Sequence, residues 1–273
     1  ALIEELQGGP MTAEPILQVG NLTVQFGGVV ACNDLSFEVA EGELFALIGP
    51  NGAGKTTLVN AVTGIYAPSP GASVKFRQRT GETIELLDYR PHQIARMGIA
   101  RTFQNLGVFS AQTVLDNLML GRFMHERTNI FHYGLFSSVA VKKELAARSV
   151  CQSIVELLDL ESVRDELVSE LPYGIQKRVE LGRVLAMEPH LLMLDEPMAG
   201  MSAEEKQEMV RYVYRIMDEY KTSVLMIEHD MGIIMAIAER IMVLDFGSEI
   251  ASGPAEEIQN NPAVIDAYLG AEH

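Results

Sequence analysis

The chain has 273 residues, of which 48% are hydrophobic and 21% charged, so it can bury a sizeable core and is not intrinsically disordered. Its 21 basic and 37 acidic side chains give a formal net charge of −16, which argues against nucleic-acid binding because phosphate backbones would repel such a surface. Cys32 and Cys151 lie in apolar surroundings and are expected to be buried free thiols, since two cysteines cannot form a disulfide framework.

No segment of the sequence approaches the roughly 18 consecutive apolar residues of a membrane-spanning helix. The start of the chain lacks the basic residues and apolar centre of a signal peptide. Residues 1–14 are expected to be an N-terminal extension, in which Met11 could be the natural start and residues 1–10 a leader or an expression remnant. We therefore expect a cytoplasmic protein unless a partner holds it at a membrane.

Two kinds of strand are predicted near the start of the chain. Leu17–Phe26 and Leu35–Val39 alternate apolar and polar residues, the pattern of strands with one exposed face. Glu43–Ile48 is almost continuously apolar, which indicates a strand buried on both faces. After this strand the sequence predicts a helix over Lys55–Gly64, a hairpin over Val74–Leu87 that turns at Thr80-Gly81, and a short helix over Pro91–Met97.

A helical insertion is predicted over about residues 112–187, where glycine becomes rare and apolar residues follow helical spacing. Within it, Val139–Leu160 and Gly174–Met187 are expected to be helices. The basic residues of the second helix, among them Lys177 and Arg183, are assigned to its solvent side.

Strands and helices alternate again in the last third of the chain. The predicted strands are Leu191–Leu194, Ser223–Glu228 and Ile241–Leu244, and the predicted helices are Ala203–Tyr220 and Met231–Glu239. Ser202 and Glu205 form a capping box at the start of the first of these helices. Such alternation predicts a mostly parallel, doubly wound sheet.

A glycine-rich motif follows the first buried strand. The residues Gly49-Pro50-Asn51-Gly52-Ala53-Gly54-Lys55-Thr56 fit G-x-x-x-x-G-K-[ST] and stand between that strand and a helix, as phosphate binding requires. Glycines allow successive backbone N–H groups to point at a phosphate, and the helix presents its positive end to the same anion. Lys55 can reach the β- and γ-phosphates, and the Thr56 hydroxyl can ligate Mg²⁺. A chance glycine turn would need both flanking elements by accident.

Two carboxylates end the later apolar strand Leu191–Leu194. Asp195 can hold Mg²⁺ through water, and Glu196 can polarise an attacking water; a solvated acidic turn is the alternative. Other residues are ambiguous by themselves. Phe26 fits either stacking on a purine or packing on the core, a lone histidine such as His229 is usually structural, and Asp230 fits a helix N-cap.

Together these segments resemble ATP-binding-cassette ATPases. The resemblance covers about Leu17 to Gly270 and rests on motifs in the family's order: the glycine-rich motif, Arg101-Thr102-Phe103-Gln104, Leu171-Pro172-Tyr173-Gly174-Ile175-Gln176, Asp195-Glu196-Pro197 and Glu228-His229-Asp230. Pro172-Tyr173-Gly174, Ala199-Gly200 and the tail Asn261–Gly270 are similar to the subunits that energise branched-chain amino-acid importers. The lipopolysaccharide-export cassette shares many of these features.

The resemblance implies an α/β fold: a P-loop NTPase (RecA-like) core with a small antiparallel β-subdomain and an inserted helical subdomain. A single cassette domain would cover residues 15–270, with the helical insertion at about 112–187 and a C-terminal tail at about 252–273.

The resemblance also implies ATP and Mg²⁺ as cofactors and a role for each motif. Phe26 would stack on adenine, and Gly49 to Thr57 would hold the phosphates. Thr56, Gln104 and Asp195 would hold Mg²⁺, Glu196 would be the general base, and His229 would contact the γ-phosphate. The signature segment Leu171–Gln176 would complete the ATP site of a second cassette across a head-to-tail dimer.

Two residues depart from the wider family on the face that would meet this second cassette. Pro172 stands where serine is usual and has neither a hydroxyl nor an N–H. Ser202 stands where an acid is usual and keeps only the capping role.

The implied function is that of a Mg²⁺-dependent ATPase subunit of an importer for branched-chain or related hydrophobic amino acids. Its partners would be a second cassette of the same or a related chain, two integral-membrane permease subunits and, indirectly, an extracytoplasmic substrate-binding protein, with no nucleic acid. It would lie peripherally on the cytoplasmic face of the inner membrane, with the groove near Gln104 receiving a permease helix. The alternatives are an exporter cassette for a lipid-like substrate and a regulatory nucleotide-binding subunit with little turnover.

Overall fold

The computed structural model describes residues 14–102, 107–125 and 138–269. In chain order the elements are β1 (Pro15–Phe26), β2 (Val29–Ala40), β3 (Leu44–Ile48), α1 (Lys55–Val62), β4 (Ser73–Arg77), β5 (Thr83–Glu85), α2 (Pro91–Arg96), β6 (Ile99–Arg101), α3 (Val114–His125), α4 (Ser138–Leu157), α5 (Tyr173–Leu185), β7 (Leu191–Asp195), α6 (Ala203–Tyr220), β8 (Ser223–Ile227), α7 (Met231–Ile237), β9 (Arg240–Asp245), β10 (Ser248–Gly253), α8 (Ala255–Gln259) and α9 (Pro262–Leu269). Within these ranges no helix combines the length and the apolar character needed to cross a bilayer.

The six-stranded sheet at the centre of the molecule has the order β10-β9-β3-β8-β7-β6. All neighbouring strands are parallel except β9 and β10, which confirms the predicted mostly parallel sheet. Every residue of β3, β7 and β8 is buried, as their apolar sequences predict. Because these three strands are parallel neighbours, their carboxyl ends meet at one edge of the sheet, and the residues that follow them converge there.

A four-stranded antiparallel sheet of order β2-β1-β4-β5 packs beside the central sheet. The predicted hairpin is confirmed, since β4 and β5 pair with Lys75 opposite Glu85. The structure adds β6 and β10, which the sequence pattern did not indicate. β6 is only three residues long, and β10 is half-exposed and polar because it closes the edge of the sheet. Both cysteines are buried and free, as predicted.

The prediction that the basic residues of α5 face solvent is wrong. Lys177 is only 3% exposed, and its ammonium lies 3.4 Å from a carboxylate oxygen of the equally buried Glu180. Arg183 is half-buried, with its guanidinium 5.8 Å from the centre of the Phe109 ring. The reason is that α5 packs against α3, α4 and the short turn Val168–Glu170, so it has little free surface for its charged side chains.

Candidate functional site

The glycine loop, residues 49–54, leaves the carboxyl end of β3 and enters α1. Two of its glycines are required by close backbone approaches. A Cβ on Gly49, whose φ is +149°, would lie 2.1 Å from the Leu244 carbonyl oxygen, and a Cβ on Gly54, whose φ is +103°, would lie 2.3 Å from that of Ala31. Only glycine fits at either position. The Gly247 N–H donates to the Ala53 carbonyl at 3.0 Å and ties the loop to the β9–β10 turn.

Lys55 is the first residue of α1 and is only 6% exposed. Its Nζ donates to the carbonyl oxygens of Gly49 at 2.7 Å and Pro50 at 2.9 Å, so the ammonium lies along the glycine loop. Burial lowers the pKa of Lys55, while the nearby charges of Glu196 and Asp195 act in the opposite direction. A cation among loop N–H groups at a helix N-terminus is suited to binding an anion.

Thr56 and Thr57 follow Lys55 in the first turn of α1. Thr56 is exposed and Thr57 is half-buried. The N–H of Leu58 donates to the Gly54 carbonyl at 2.9 Å, which shows that the helical bonding begins directly at the end of the loop. Thr56 is therefore an exposed residue directly at the end of the loop.

Asp195 ends β7 and is 2% exposed. Its Oδ2 accepts from an Arg101 guanidinium nitrogen at 2.7 Å. Its Oδ1 is buried and has no hydrogen-bond partner among the residues that the structure describes. An unsatisfied buried carboxylate oxygen is costly, so this atom fits a cation or a cation-bound water.

The possible metal ligands at the carboxyl ends of β3 and β7 fit Mg²⁺ that is bound together with phosphate. They do not fit an ion that is enclosed by side chains alone. The described residues contain no group of three or more His, Cys, Asp or Glu side chains placed to hold a metal. Mg²⁺ ordinarily binds one or two carboxylates together with substrate phosphates and water. Asp195 and the exposed residue Thr56 suit that arrangement.

Glu196 and His229 contact each other at the same edge of the sheet. Glu196 has a φ of +50°, unusual for a residue with a Cβ, and its N–H donates to the Ile227 carbonyl at 2.9 Å. Its Oε1 lies 2.7 Å from Nε2 of His229. Non-glycine residues in this backbone region concentrate at functional sites, where surrounding contacts maintain the strain.

Glu228 is a buried carboxylate whose contacts are not indicated by its sequence motif. Its two oxygens accept from the N–H groups of Met198 at 2.7 Å and His229 at 3.2 Å. Burial raises the pKa of Glu228, and those N–H groups partly oppose the rise. It joins the segments after β7 and β8 and so supports both Glu196 and His229. Its place at the end of an apolar strand, like that of Asp195, is the sequence signal that could have found it.

Phe26 ends β1, and its ring is 47% exposed. The Tyr66 ring contacts it edge to face, with centroids 5.0 Å apart and planes at 80°. This contact supports one side of Phe26 and leaves part of the ring accessible for stacking. No sequence pattern around Tyr66 indicates this contact. Gln104 lies outside the described residues.

The segment Leu171–Gln176 lies at the start of α5, on a different element from the sheet edge. Pro172 is the N-cap, with φ −54°, and gives no side-chain cap. A Cβ on Gly174 would lie 2.2 Å from an oxygen of Glu205, so the Glu205 carboxylate packs against this glycine. The predicted capping box is confirmed, because Ser202 and Glu205 exchange hydrogen bonds at the start of α6. Asp230 is the N-cap of α7, as predicted.

Two family descriptions match the chain: "ABC transporter" matches residues 32–199, and "Branched-chain amino acid ATP-binding cassette transporter" matches residues 249–273. The chain is 39% identical, over 94% of its length and 99% of the relative, to the high-affinity branched-chain amino acid transport ATP-binding protein LivG of Salmonella typhimurium. The corresponding protein BraF of Pseudomonas aeruginosa is also 39% identical over the same shares. A crystal structure of the ADP conformation of an ATP-binding cassette matches with TM-score 0.81 and 28% identity, covering 94% of this chain and 100% of that one.

Proposed function

This chain belongs to the ABC transporter family of ATP-binding subunits, and we propose that it hydrolyses ATP to drive an importer of branched-chain or related hydrophobic amino acids. The proposal that the chain hydrolyses ATP is supported by one observation. Three groups follow neighbouring parallel strands at one edge of the sheet. They are the glycine loop with buried Lys55, the Asp195 carboxylate with one oxygen that has no hydrogen-bond partner among the described residues, and the Glu196–His229 pair. The importer branch is supported by the names of the full-length relatives and by the match of the C-terminal segment.

We assign phosphate binding to the backbone of residues 49–54, to Lys55 and to the first turn of α1. Thr56 and Asp195 would hold Mg²⁺, with Gln104 as a further ligand. When bound, the ion would neutralise charge on the β- and γ-phosphates. Arg101 holds one oxygen of Asp195 at 2.7 Å and leaves the other free to face the ion.

Glu196 is the proposed general base for the attacking water. The backbone bond to Ile227 fixes its position, and His229 fixes the direction of Oε1. The carboxylate would take the proton that water loses as it attacks the γ-phosphate. When phosphate is bound, the Nε2–H of His229 can donate to a γ-phosphate oxygen instead of to Glu196, so this side chain lies between the base and the reacting group.

We propose that the chain works with a second cassette of the same or a related chain, two permease subunits and an extracytoplasmic binding protein. In this arrangement Leu171–Gln176 would face the partner's ATP. The chain would lie on the cytoplasmic face of the inner membrane and would be held there by the permeases. Nucleic acid is not a partner, given the net charge of −16.

The test is reconstitution of the chain with its permeases and binding protein in liposomes. We expect leucine or a related amino acid to enter the vesicles and ATP hydrolysis to rise with it. Stimulation by a lipid-like substrate moving outward would instead identify an exporter. An assembled complex that binds ATP without turnover would indicate a regulatory subunit.

Replacing Phe26 by alanine tests the adenine platform. Base stacking on aromatic side chains is worth about 1–3 kcal/mol, so Phe26→Ala should weaken ATP binding by about 1–2 kcal/mol. Binding of tripolyphosphate, which has no base, should be almost unchanged. Calorimetric titration of both ligands measures the difference. If the two affinities fall equally, Phe26 is a structural residue.

Replacing Pro172 by serine tests whether the proline silences the composite site. The positive end of α5 does not depend on a hydroxyl at position 172, so the contact with the partner's phosphate should survive without one. One neutral hydrogen bond is worth roughly 0.5–1.5 kcal/mol, so Pro172→Ser should leave ATPase activity of the assembled complex within about tenfold of wild type. A rise of several hundredfold would mean that Pro172 silences the site.

A further inference from the structure

Lys206 forms an ion pair that the proposed reaction does not use. It lies in the first turn of α6, where its N–H donates to the Ser202 carbonyl at 3.0 Å. Its Nζ donates to Oδ2 of Asp230, the N-cap of α7, at 2.7 Å. Both side chains are half-buried. The ion pair therefore joins the start of α6 to the start of α7.

Asp230 uses its other side-chain oxygen to begin α7. This oxygen, Oδ1, accepts from the Ile233 N–H at 3.3 Å, and the backbone carbonyl of Asp230 accepts from the Ile234 N–H at 3.1 Å. Such a cap satisfies N–H groups that have no partner within the helix. The Asp230 carboxylate thus binds α7 with one oxygen and Lys206 with the other, so the ion pair fixes the start of α7 relative to α6.

The ion pair comes immediately after His229 in the chain. The residue before the histidine, Glu228, is also tied to the segment after β7, because its carboxylate accepts from the Met198 N–H at 2.7 Å. Both neighbours of His229 are therefore anchored to the segment that runs from Glu196 into α6. The His229 side chain itself is 40% exposed, so surrounding side chains restrict it little. Its distance of 2.7 Å from Glu196 depends on where these two anchors hold its backbone.

We propose that Lys206 is a positioning residue for His229. Its bond to Asp230 holds the backbone on the C-terminal side of the histidine, which keeps the imidazole within reach of both Glu196 and the γ-phosphate. Without the ammonium, one of the two anchors is lost, and the histidine can turn about the remaining anchor at Glu228. The inference rests on the proposed hydrolysis of ATP and adds to it a residue that acts through His229.

The first test is Lys206→Met in the assembled transporter, which removes the ammonium and keeps an unbranched side chain. We expect ATP turnover to fall by about three- to tenfold, as loss of one charged hydrogen bond predicts, while ATP affinity stays unchanged. Lys206→Arg keeps the charge and should retain most of the rate. Lys221→Met is the matched control, because it breaks an ion pair of 3.0 Å with Asp218 at the other end of α6. An unchanged rate in Lys206→Met, or an equal loss in Lys221→Met, would overturn the proposal.

The second test is Asp230→Asn, because asparagine caps a helix about as well as aspartate does. Its single side-chain oxygen would accept from the Ile233 N–H and would no longer be available to Lys206. Turnover should therefore fall as much as in Lys206→Met, and the double variant should be no slower than either single variant. Additive losses would mean that the two residues act independently, which would overturn the proposal.

The third test reports the position of the histidine without requiring turnover. In the full-length chain with histidine isotope-labelled at Cε1, the His229 resonance is the one that disappears in His229→Gln. This resonance should shift in Lys206→Met and stay in place in Lys221→Met. A resonance that ignores Lys206→Met would mean that the ion pair only stabilises the fold, and the inference would fail. A wild-type complex without ATP hydrolysis would instead overturn the proposed function, and the resonance would still decide the role of Lys206.

Discussion

Glu196→Gln is expected to lower turnover by about 10²–10⁴-fold while ATP still binds. Glutamine keeps the shape of the side chain and can still accept from His229, which lies 2.7 Å from Oε1, but it cannot take a proton from water. General-base catalysis contributes about 10²–10⁴-fold to a rate, so ATP hydrolysis should fall by roughly that factor. Phosphate release by the assembled transporter measures the rate, and calorimetry measures the affinity.

The matched control for this substitution is Glu204→Gln. Glu204 is exposed in the first turn of α6, and the change removes the same charge from the protein. It should hydrolyse ATP at the wild-type rate. If the chain dimerises with itself, the Glu196→Gln protein should also accumulate as an ATP-bound dimer, which light scattering detects. Wild-type turnover in Glu196→Gln would remove this residue from the role of base.

The residues at the carboxyl edge of the central sheet were predictable because the sequence patterns that indicate them are local. β3, the glycine loop and α1 follow one another within 20 residues, and each is indicated by its own composition. Parallel strands bring their carboxyl ends together, so the residues after β3, β7 and β8 had to converge. The sequence therefore predicts which segments meet, although it does not give the distances between them.

Other features depend on contacts that sequence spacing does not encode. Lys177 follows a helical pattern typical of a solvated position, yet packing on several sides of α5 buries it with Glu180. β6 and β10 exist because neighbours pair with them, and their own residues carry weak strand signals. Tyr66 is 40 positions from Phe26, so only the fold brings these two rings together.

Lys55→Ala should greatly weaken nucleotide binding. The ammonium is buried beside the loop, where burial lowers the pKa of Lys55 and the charges of Glu196 and Asp195 oppose that shift. As a cation it would make a charge-assisted contact to phosphate. Such contacts are worth roughly 1.5–3 kcal/mol, which corresponds to a loss of about ten- to a hundredfold in affinity. Tripolyphosphate affinity should fall as much as ATP affinity, in contrast to Phe26→Ala.

Loss of the loop's own structure is the competing explanation, because Lys55 also donates to the carbonyls of Gly49 and Pro50. Lys55→Met restores most of the buried side-chain volume but neither the charge nor the two hydrogen bonds, so the melting temperature reports the lost packing and the ATP affinity reports the lost ammonium. If charge is the cause, the methionine variant binds ATP as poorly as the alanine variant while melting closer to wild type. Lys75→Ala removes an exposed charge from β4 and should bind ATP normally. Unchanged ATP affinity in both Lys55 variants would exclude this residue from the phosphate site.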